Sequence, residues 1–186
     1  MQTPQYERAI IRGVPDSFDS CIKPDDRRAI DITLAREQHC AYREVLRSVQ
    51  VELIMMEADE KHPDCCFVED TAIVIGDMAL MLHMGAHSRV GEEVAVRRLL
   101  SKHKQIHDIT SPATIDGGDV LLARDKLFVG LSQRTNSRAV SMLGEMMSPG
   151  GVTVVPVPIN GILHLKSACS YLGDGYVLLC RGYFDE

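Results

Sequence analysis

A strand-turn-strand pattern that recurs along the chain constrains its fold more than any other feature of the sequence. Each copy consists of two apolar runs that turn at an aspartate, and these aspartates are Asp77, Asp125 and Asp174. They lie 48 residues (77 to 125) and 49 residues (125 to 174) apart. A unit of roughly 50 residues that cannot bury its own apolar face must stack or close on its neighbours. The sequence therefore predicts repeated modules whose sheets meet around a common axis.

The segments between the hairpins follow one order: a polar loop with glycine, a helix, and a strand that leads onward. Apolar residues at helical spacing indicate one helix near Val90–Leu100 and another near Ala139–Met147. The second breaks at Pro149-Gly150-Gly151, before an apolar strand that begins at Val152. We therefore expect an α/β protein with helices outside the ring of sheets. The sequence holds three complete hairpins, so we expect the ring to be incomplete, and we expect residues 1–186 to form a single domain.

Composition excludes several classes of partner. The chain has 186 residues, of which 45% are apolar and 25% charged, as in ordinary soluble proteins. Its net charge of -6, without a lysine-rich block, makes nucleic acid and anionic membranes poor partners and suits a cationic small ligand better. The N-terminus is polar, and no apolar run approaches the ~20 residues of a membrane span, so we expect a cytoplasmic protein. Its six cysteines are then expected to be reduced.

In the stretch Thr114–Leu122, charged residues lie on both sides of a backbone segment that has no side chains. Asp116 and Asp119 flank two adjacent glycines at the start of an apolar strand. Glycine there permits torsions that other residues avoid, or close approach by a ligand. For the tetrapeptide alone, a surface turn is an alternative. The pair Glu69-Asp70 occupies the matching place in the preceding unit, however, and His164 opens the following one.

Arginines also recur at equivalent places, Arg89 after the first hairpin and Arg134 after the second. If the units share an axis, these side chains converge on one cavity with the acids. Paired carboxylates suit a cationic group, and arginine suits a carboxylate, so an amino acid with a guanidinium side chain fits both halves. In the alternative interpretation, the two arginines only cap loops and neutralise nearby acids. His164, which has apolar neighbours, is either a core histidine or a general acid/base oriented by Asp116.

We expect no metal and no cofactor. Cys65-Cys66 does not have the spacing of a zinc site, and no histidine or cysteine pair has zinc-finger spacing. Neither a phosphate-binding glycine loop nor a dinucleotide fingerprint is found.

Four segments, taken in order, resemble the signatures of the dimethylarginine dimethylaminohydrolase family, which belongs to the guanidino-group-modifying superfamily. These segments are Pro63–Asp70, Ile115–Asp119, Phe128–Asn136 and Leu163–Ser167. The resemblance implies a pentein fold, an α/β propeller of five ββαβ modules around a pore, of which about three and a half are expected here. It also implies hydrolysis of N-omega-methylated arginines to citrulline and a methylamine, without a cofactor.

The resemblance further implies roles for individual residues. His164 would be the general acid/base and Asp116 its orienting partner. The substrate-binding residues would be Glu69 and Asp70 for the guanidinium, Asp64 for the amino-acid end, Arg89 and Arg134 for the carboxylate, and Ile22 for a backbone contact. The family's nucleophile is a cysteine near the C-terminus of the full-length chain, and none of the six cysteines here matches its position. Since thiolate attack is required, we expect this chain to be weak or inactive alone.

Two alternatives remain open at this point. One is an arginine deiminase-like hydrolase that acts on unmethylated arginine. The other is a non-catalytic protein that binds methylarginine or interacts with a full-length enzyme. The oligomeric state does not follow from the sequence.

Overall fold

The computed structural model of the chain describes residues 6–23 and 29–184. Contacts between residues divide these into two compact units, an N-terminal unit that ends at Val68 and a C-terminal unit that begins at Glu69. The single domain expected for residues 1–186 stays a prediction.

The N-terminal unit contains two parallel strands joined by a long helix. Strand β1 (Arg8–Arg12) pairs with β2 (Glu52–Met56), and α1 (Ile32–Ser48) connects them. The Asp31 side chain accepts a hydrogen bond from the backbone N–H of Leu34 at 3.0 Å, which satisfies a donor that the first turn leaves free. The sequence also suggests Asp25 and Asp26 as caps, but they lie outside the described residues. No residue of α1 is buried, although its apolar residues are spaced to form one face.

The C-terminal unit contains two ββαβ modules and a final hairpin. The first module consists of β3 (Ala72–Ile75), β4 (Met78–Met81), α2 (Glu93–Leu100) and β5 (Gln105–Asp108). The second consists of β6 (Val120–Ala123), β7 (Lys126–Leu131), α3 (Ser137–Met147) and β8 (Thr153–Pro158). In each module the first two strands are antiparallel and the third is parallel to the second. The antiparallel pair β9 (Cys169–Gly173) and β10 (Tyr176–Leu179) follows.

The predicted repeat is confirmed in its local form. All three predicted hairpins are present, with turns at Asp77, Asp125 and Asp174. The predicted α/β class is therefore confirmed, whereas the five-module propeller stays a prediction. In the second hairpin Arg124 has a φ of +59°, a left-handed conformation that glycine adopts more readily.

The main core of the C-terminal unit lies between the two ββαβ modules. Its apolar centre includes Leu80, Ile115, Leu127 and Leu143, all at most 1% exposed. From α3, Ala139, Leu143 and Met147 enter this core at a spacing of one helical turn. The core holds the first two hairpins, a smaller cluster with Leu165 and Cys169 packs at the third, and a short 3-10 turn precedes each hairpin. These turns are Val68–Thr71, Gly117–Asp119 and Leu165–Ser167.

Among the described residues, no helix combines the length and the apolar character needed to cross a membrane.

Candidate active site

The two central glycines allow three segments of the chain to approach one another closely. A Cβ atom on Gly117 would lie 2.1 Å from the carbonyl oxygen of Glu69. One on Gly118 would lie 2.8 Å from the imidazole ring of His164 and 2.9 Å from Oδ1 of Asp70. Neither glycine has a positive φ, so close packing rather than an unusual torsion requires them. Gly117 and Gly118 thus bring the acidic turn of the first module and the histidine of the last hairpin together.

Arg89 lies in a buried cluster of charges. Its side chain is 4% exposed, and Nη1 donates a hydrogen bond to Oδ2 of Asp70 at 2.7 Å. Nε and Nη2 donate to the two carboxylate oxygens of Glu92 at 3.1 Å and 2.8 Å. Burial alone would lower the pKa of Arg89, but Glu92 and Asp70 outweigh it and raise that pKa. Asp70 also accepts a hydrogen bond from the backbone N–H of Gly118 at 2.7 Å.

This geometry differs from the predicted role of Arg89 as a ligand of the substrate carboxylate. Each of its donor groups already faces a carboxylate of the chain, as in the alternative interpretation that Arg89 neutralises nearby acids. Glu92 was not singled out by the sequence analysis. The sequence signal for this pairing is the position of Glu92, three residues after Arg89 and just before α2.

Asp116 is fully buried and lies between a loop and Arg134. Its Oδ1 accepts a hydrogen bond from the backbone N–H of Gly85 at 2.8 Å, and Oδ2 lies 3.3 Å from Nη1 of Arg134. Burial raises the pKa of Asp116, although the Gly85 hydrogen bond acts in the opposite direction. The Arg134 side chain is 12% exposed, and within residues 6–23 and 29–184 this is its single contact with an acid.

Asp119, also fully buried, is the carboxylate that faces His164. Oδ2 of Asp119 accepts hydrogen bonds from the hydroxyls of Ser132 and Thr135, both at 2.6 Å, and Oδ1 accepts one from the backbone N–H of Leu165 at 2.9 Å. Nδ1 of His164 lies 3.4 Å from the same Oδ2. This is an ion-pair distance, and the geometry is not that of a formed hydrogen bond.

The pKa values of this pair shift in opposite directions. Burial lowers the pKa of His164, but the nearby carboxylates, Asp119 first, outweigh it, so the net shift is upward. Burial raises the pKa of Asp119, yet its imidazole and hydroxyl partners make the net shift downward. Both shifts favour the charged forms.

Among the described residues Asp119, and not Asp116, lies within ion-pair distance of His164, and the orienting role of Asp116 stays a prediction. Asp116 was expected to orient the imidazole, but its carboxylate is directed to Gly85 and Arg134. Three residues further on, the backbone contact between Asp119 and Leu165 holds the Asp119 carboxylate next to the histidine turn. Which of two acids three residues apart faces the histidine depends on the direction of each side chain. The sequence pattern does not show that direction.

Glu69 and Asp70 do not act as one pair in the structure. Asp70 is buried against Arg89, whereas the Glu69 side chain is 72% exposed. Oε1 of Glu69 lies 2.6 Å from Nζ of Lys166. The sequence predicted a joint cation site, and the structure leaves Glu69 as its accessible member.

Ile22 and Asp64 lie together in the N-terminal unit. Both carboxylate oxygens of Asp64, at 3.1 Å and 3.2 Å, accept from the backbone N–H of Ile22. Asp64 is buried and Ile22 is 43% exposed. The structure thus joins two residues to which the resemblance gives roles in substrate binding.

None of the six cysteines, all of which lie among the described residues, forms a disulfide. Burial raises the pKa of the Cys66 thiol to about 12 and also raises the pKa values of Cys21 and Cys169. A raised pKa keeps a thiol protonated and unreactive. In the described parts of the chain, no three or more histidine, cysteine or acidic side chains are grouped so as to hold a metal ion.

Known proteins are similar to this chain in both sequence and fold. The family model for eukaryotic N,N dimethylarginine dimethylhydrolase matches residues 15–186. An N(G),N(G)-dimethylarginine dimethylaminohydrolase of Streptomyces coelicolor is 35% identical over 176 residues, which cover 94% of this chain and 68% of the relative. The enzyme of that name from Pseudomonas aeruginosa is 29% identical, over 95% of this chain and 67% of its own length.

A solved structure of the Pseudomonas aeruginosa protein, a cysteine-to-serine mutant in complex with citrulline, has a TM-score of 0.90 to this chain at 27% identity. The match covers 94% of this chain and 69% of the solved one. The chain therefore belongs to the dimethylarginine dimethylaminohydrolase family of the pentein superfamily, whose members are hydrolases that act on guanidino groups.

Proposed function

We propose that this chain binds N-omega-methylated arginines and carries the acid/base part of the machinery that hydrolyses them to citrulline and methylamines. The observation that supports this most strongly is the meeting of Asp70, Asp119 and His164 around Gly118. A histidine that favours its charged form there lies beside two buried carboxylates, which suits a general acid/base.

His164 is proposed as the general acid/base. The departing amine requires a proton, and the raised pKa of His164 favours the imidazolium that can donate one. The neutral imidazole left behind can then take a proton from the attacking water. Asp119 takes the orienting role that the sequence analysis gave to Asp116, because its carboxylate lies 3.4 Å from Nδ1.

Substrate contacts are proposed for residues whose polar groups can be reached. Glu69 is exposed and negatively charged, which suits the guanidinium. Arg134 is proposed for the carboxylate, since its ion pair with Asp116, at 3.3 Å, is longer than those of Arg89. Asp64 and the backbone of Ile22 are proposed for the amino-acid end, by analogy with the family. Arg89 instead holds the Asp70 carboxylate in place.

Turnover by this chain alone is proposed to be slow or absent. Formation of a covalent intermediate needs a thiolate, and three of the cysteines have raised thiol pKa values. Furthermore, the buried Nδ1 of His164 has no hydrogen-bond partner among the described residues, a cysteine thiol included. This observation favours a second candidate function, binding of methylarginine without catalysis.

The decisive experiment measures binding and turnover on the same preparation. Calorimetry with asymmetric dimethylarginine should detect binding, whereas a citrulline assay should detect little or no product. The matched control replaces all six cysteines by alanine, which should leave any residual rate unchanged. Robust turnover that survives this replacement would refute the proposed need for a cysteine nucleophile.

A competition experiment distinguishes a dimethylargininase site from the arginine deiminase-like alternative. Unmethylated arginine should displace the dimethylated ligand poorly if the site belongs to a dimethylargininase. Preferential binding of unmethylated arginine would support the deiminase-like alternative instead.

A further inference from the structure

Lys166 is a charged residue next to the candidate site to which no role has yet been assigned. It lies two residues after His164, on the 3-10 turn Leu165–Ser167. Its Nζ donates a hydrogen bond to Oε1 of Glu69 at 2.6 Å, although the two residues are 97 positions apart in sequence. An ammonium group therefore already occupies the carboxylate that is proposed to receive a guanidinium.

The backbones on both sides of this ion pair are fixed. On one side, the N–H of Leu165 donates to the buried Asp119 at 2.9 Å, and the N–H of Ser167 donates to the carbonyl of His164 at 3.0 Å. On the other side, the carbonyl of Glu69 packs so tightly on Gly117 that a Cβ there would lie 2.1 Å away. The contact can consequently open through rotation of the two side chains, without movement of either turn.

Exposure makes the exchange of one cation for another feasible. The Glu69 side chain is 72% exposed and that of Lys166 is 24% exposed, so a dissolved ligand can reach the carboxylate. Ion pairs this exposed are weak, because water screens them and both side chains lose rotational freedom. A guanidinium, which offers two parallel donors to one carboxylate, is a stronger partner for it than an ammonium group.

We propose that Lys166 is an internal cation that occupies Glu69 in the ligand-free protein and is displaced when a guanidinium ligand binds. Lys166 then reduces affinity for cationic ligands specifically, and it sets how strongly the site distinguishes a guanidinium from the neutral urea group of citrulline. This inference rests on the proposed function, because it assumes that methylarginine binds at Glu69.

The test is calorimetric titration of the full chain with two probes, asymmetric dimethylarginine and citrulline. Lys166→Met keeps the aliphatic part of the side chain and removes its charge. It should tighten binding of the dimethylated arginine by up to about fivefold, since an exposed ion pair of this kind no longer competes. Citrulline, which is uncharged at that end, should bind as before.

Two further variants isolate the contact. Lys102→Met removes a charge from an exposed lysine elsewhere in the C-terminal unit and should change the binding of neither probe. In a Glu69→Gln background, Lys166→Met should have no effect, because the carboxylate for which the cations compete is gone. The thermal unfolding midpoint of each variant confirms that it is folded.

Each outcome bears on one or both proposals. If the native chain binds dimethylarginine but Lys166→Met binds it equally or more weakly, Lys166 does not compete for Glu69 and this inference fails alone. Equal tightening of citrulline would also overturn it, because the effect would not depend on ligand charge. If neither the native chain nor the variant binds either probe, the proposed function fails as well.

Discussion

Nδ1 of His164 lies 3.4 Å from Oδ2 of Asp119, and the same oxygen accepts hydrogen bonds from the hydroxyls of Ser132 and Thr135. Three polar groups thus converge on one fully buried oxygen atom. Their combined effect keeps Asp119 ionised despite its burial, and the resulting negative charge stabilises a protonated imidazole.

Replacement of Asp119 by asparagine should lower the pKa of His164. The amide retains an oxygen for the N–H of Leu165, and the two hydroxyls can rotate to accept from its nitrogen, but the charge is lost. Asp116→Asn is the matched control and should lower that pKa less, because Asp116 acts on His164 from beyond ion-pair distance. NMR titration of the His164 ring measures both shifts. A larger decrease with Asp116→Asn would restore Asp116 as the principal partner.

The same pair predicts how stability depends on pH. The raised pKa of His164 contributes stability that is fully present below its ordinary value of 6.5 and is lost as pH rises through the folded-state value. The lowered pKa of Asp119 contributes stability that is present above its ordinary value of 3.8 and is lost as pH falls through the folded-state value. Urea unfolding across pH should therefore show a decline above about 6.5 that His164→Gln removes. An unchanged decline in that variant would assign it to another group.

Loss of Arg89 should destabilise the fold strongly. Arg89→Met would leave the carboxylates of Asp70 and Glu92 buried without their cation, at a cost of roughly 3–5 kcal/mol. The control is Arg97→Met, which removes an exposed ion pair with Asp108 and should cost about 0–1 kcal/mol. Urea denaturation measures both free energies of unfolding. Similar small losses for the two variants would show that Arg89 is not the centre of the buried cluster.

Replacement of either central glycine by alanine should destabilise the fold, because the added Cβ atom has no room. Gly118→Ala forces the His164 ring and the Asp70 carboxylate apart and should cost roughly 1–3 kcal/mol. Gly117→Ala should cost more, because the group in its way is a backbone carbonyl that cannot rotate aside. Gly144→Ala, inside α3 and with open space around it, should instead stabilise by about 0.5–1 kcal/mol. The three thermal unfolding midpoints test the predicted order.

Local patterns in the sequence predicted the hairpins of the modules, but they did not predict which side chains meet between the loops. The hairpins at Asp77, Asp125 and Asp174 follow from apolar runs and turn residues within about ten positions. Which group pairs with a buried carboxylate depends instead on how segments that are distant in sequence pack against each other. The sequence brought Asp116, Asp119 and His164 into one hypothesis, and only coordinates could distinguish the two acids.

The spacing of apolar residues in the sequence also did not predict which residues are buried. Leu34, Tyr42 and Val45 have the spacing of a core-facing helix, yet all three are exposed in α1. Periodicity shows that a helix can present an apolar face, whereas burial of that face depends on what packs against it. Arg89 shows the opposite case, since its charge suggested a ligand contact and the structure places it among buried acids.

One feature of the acidic turn bears on how this protein can change over evolutionary time. Asp116 and Asp119 flank a single short turn, and through Arg134, His164 and Leu165 that turn fixes two neighbouring loops at once. A mutation that shifts it would disturb both the proposed anion recognition and the proposed proton transfer. Changes in ligand preference are therefore more accessible through outlying side chains such as Glu69 and Lys166, which can vary while the shared turn is conserved.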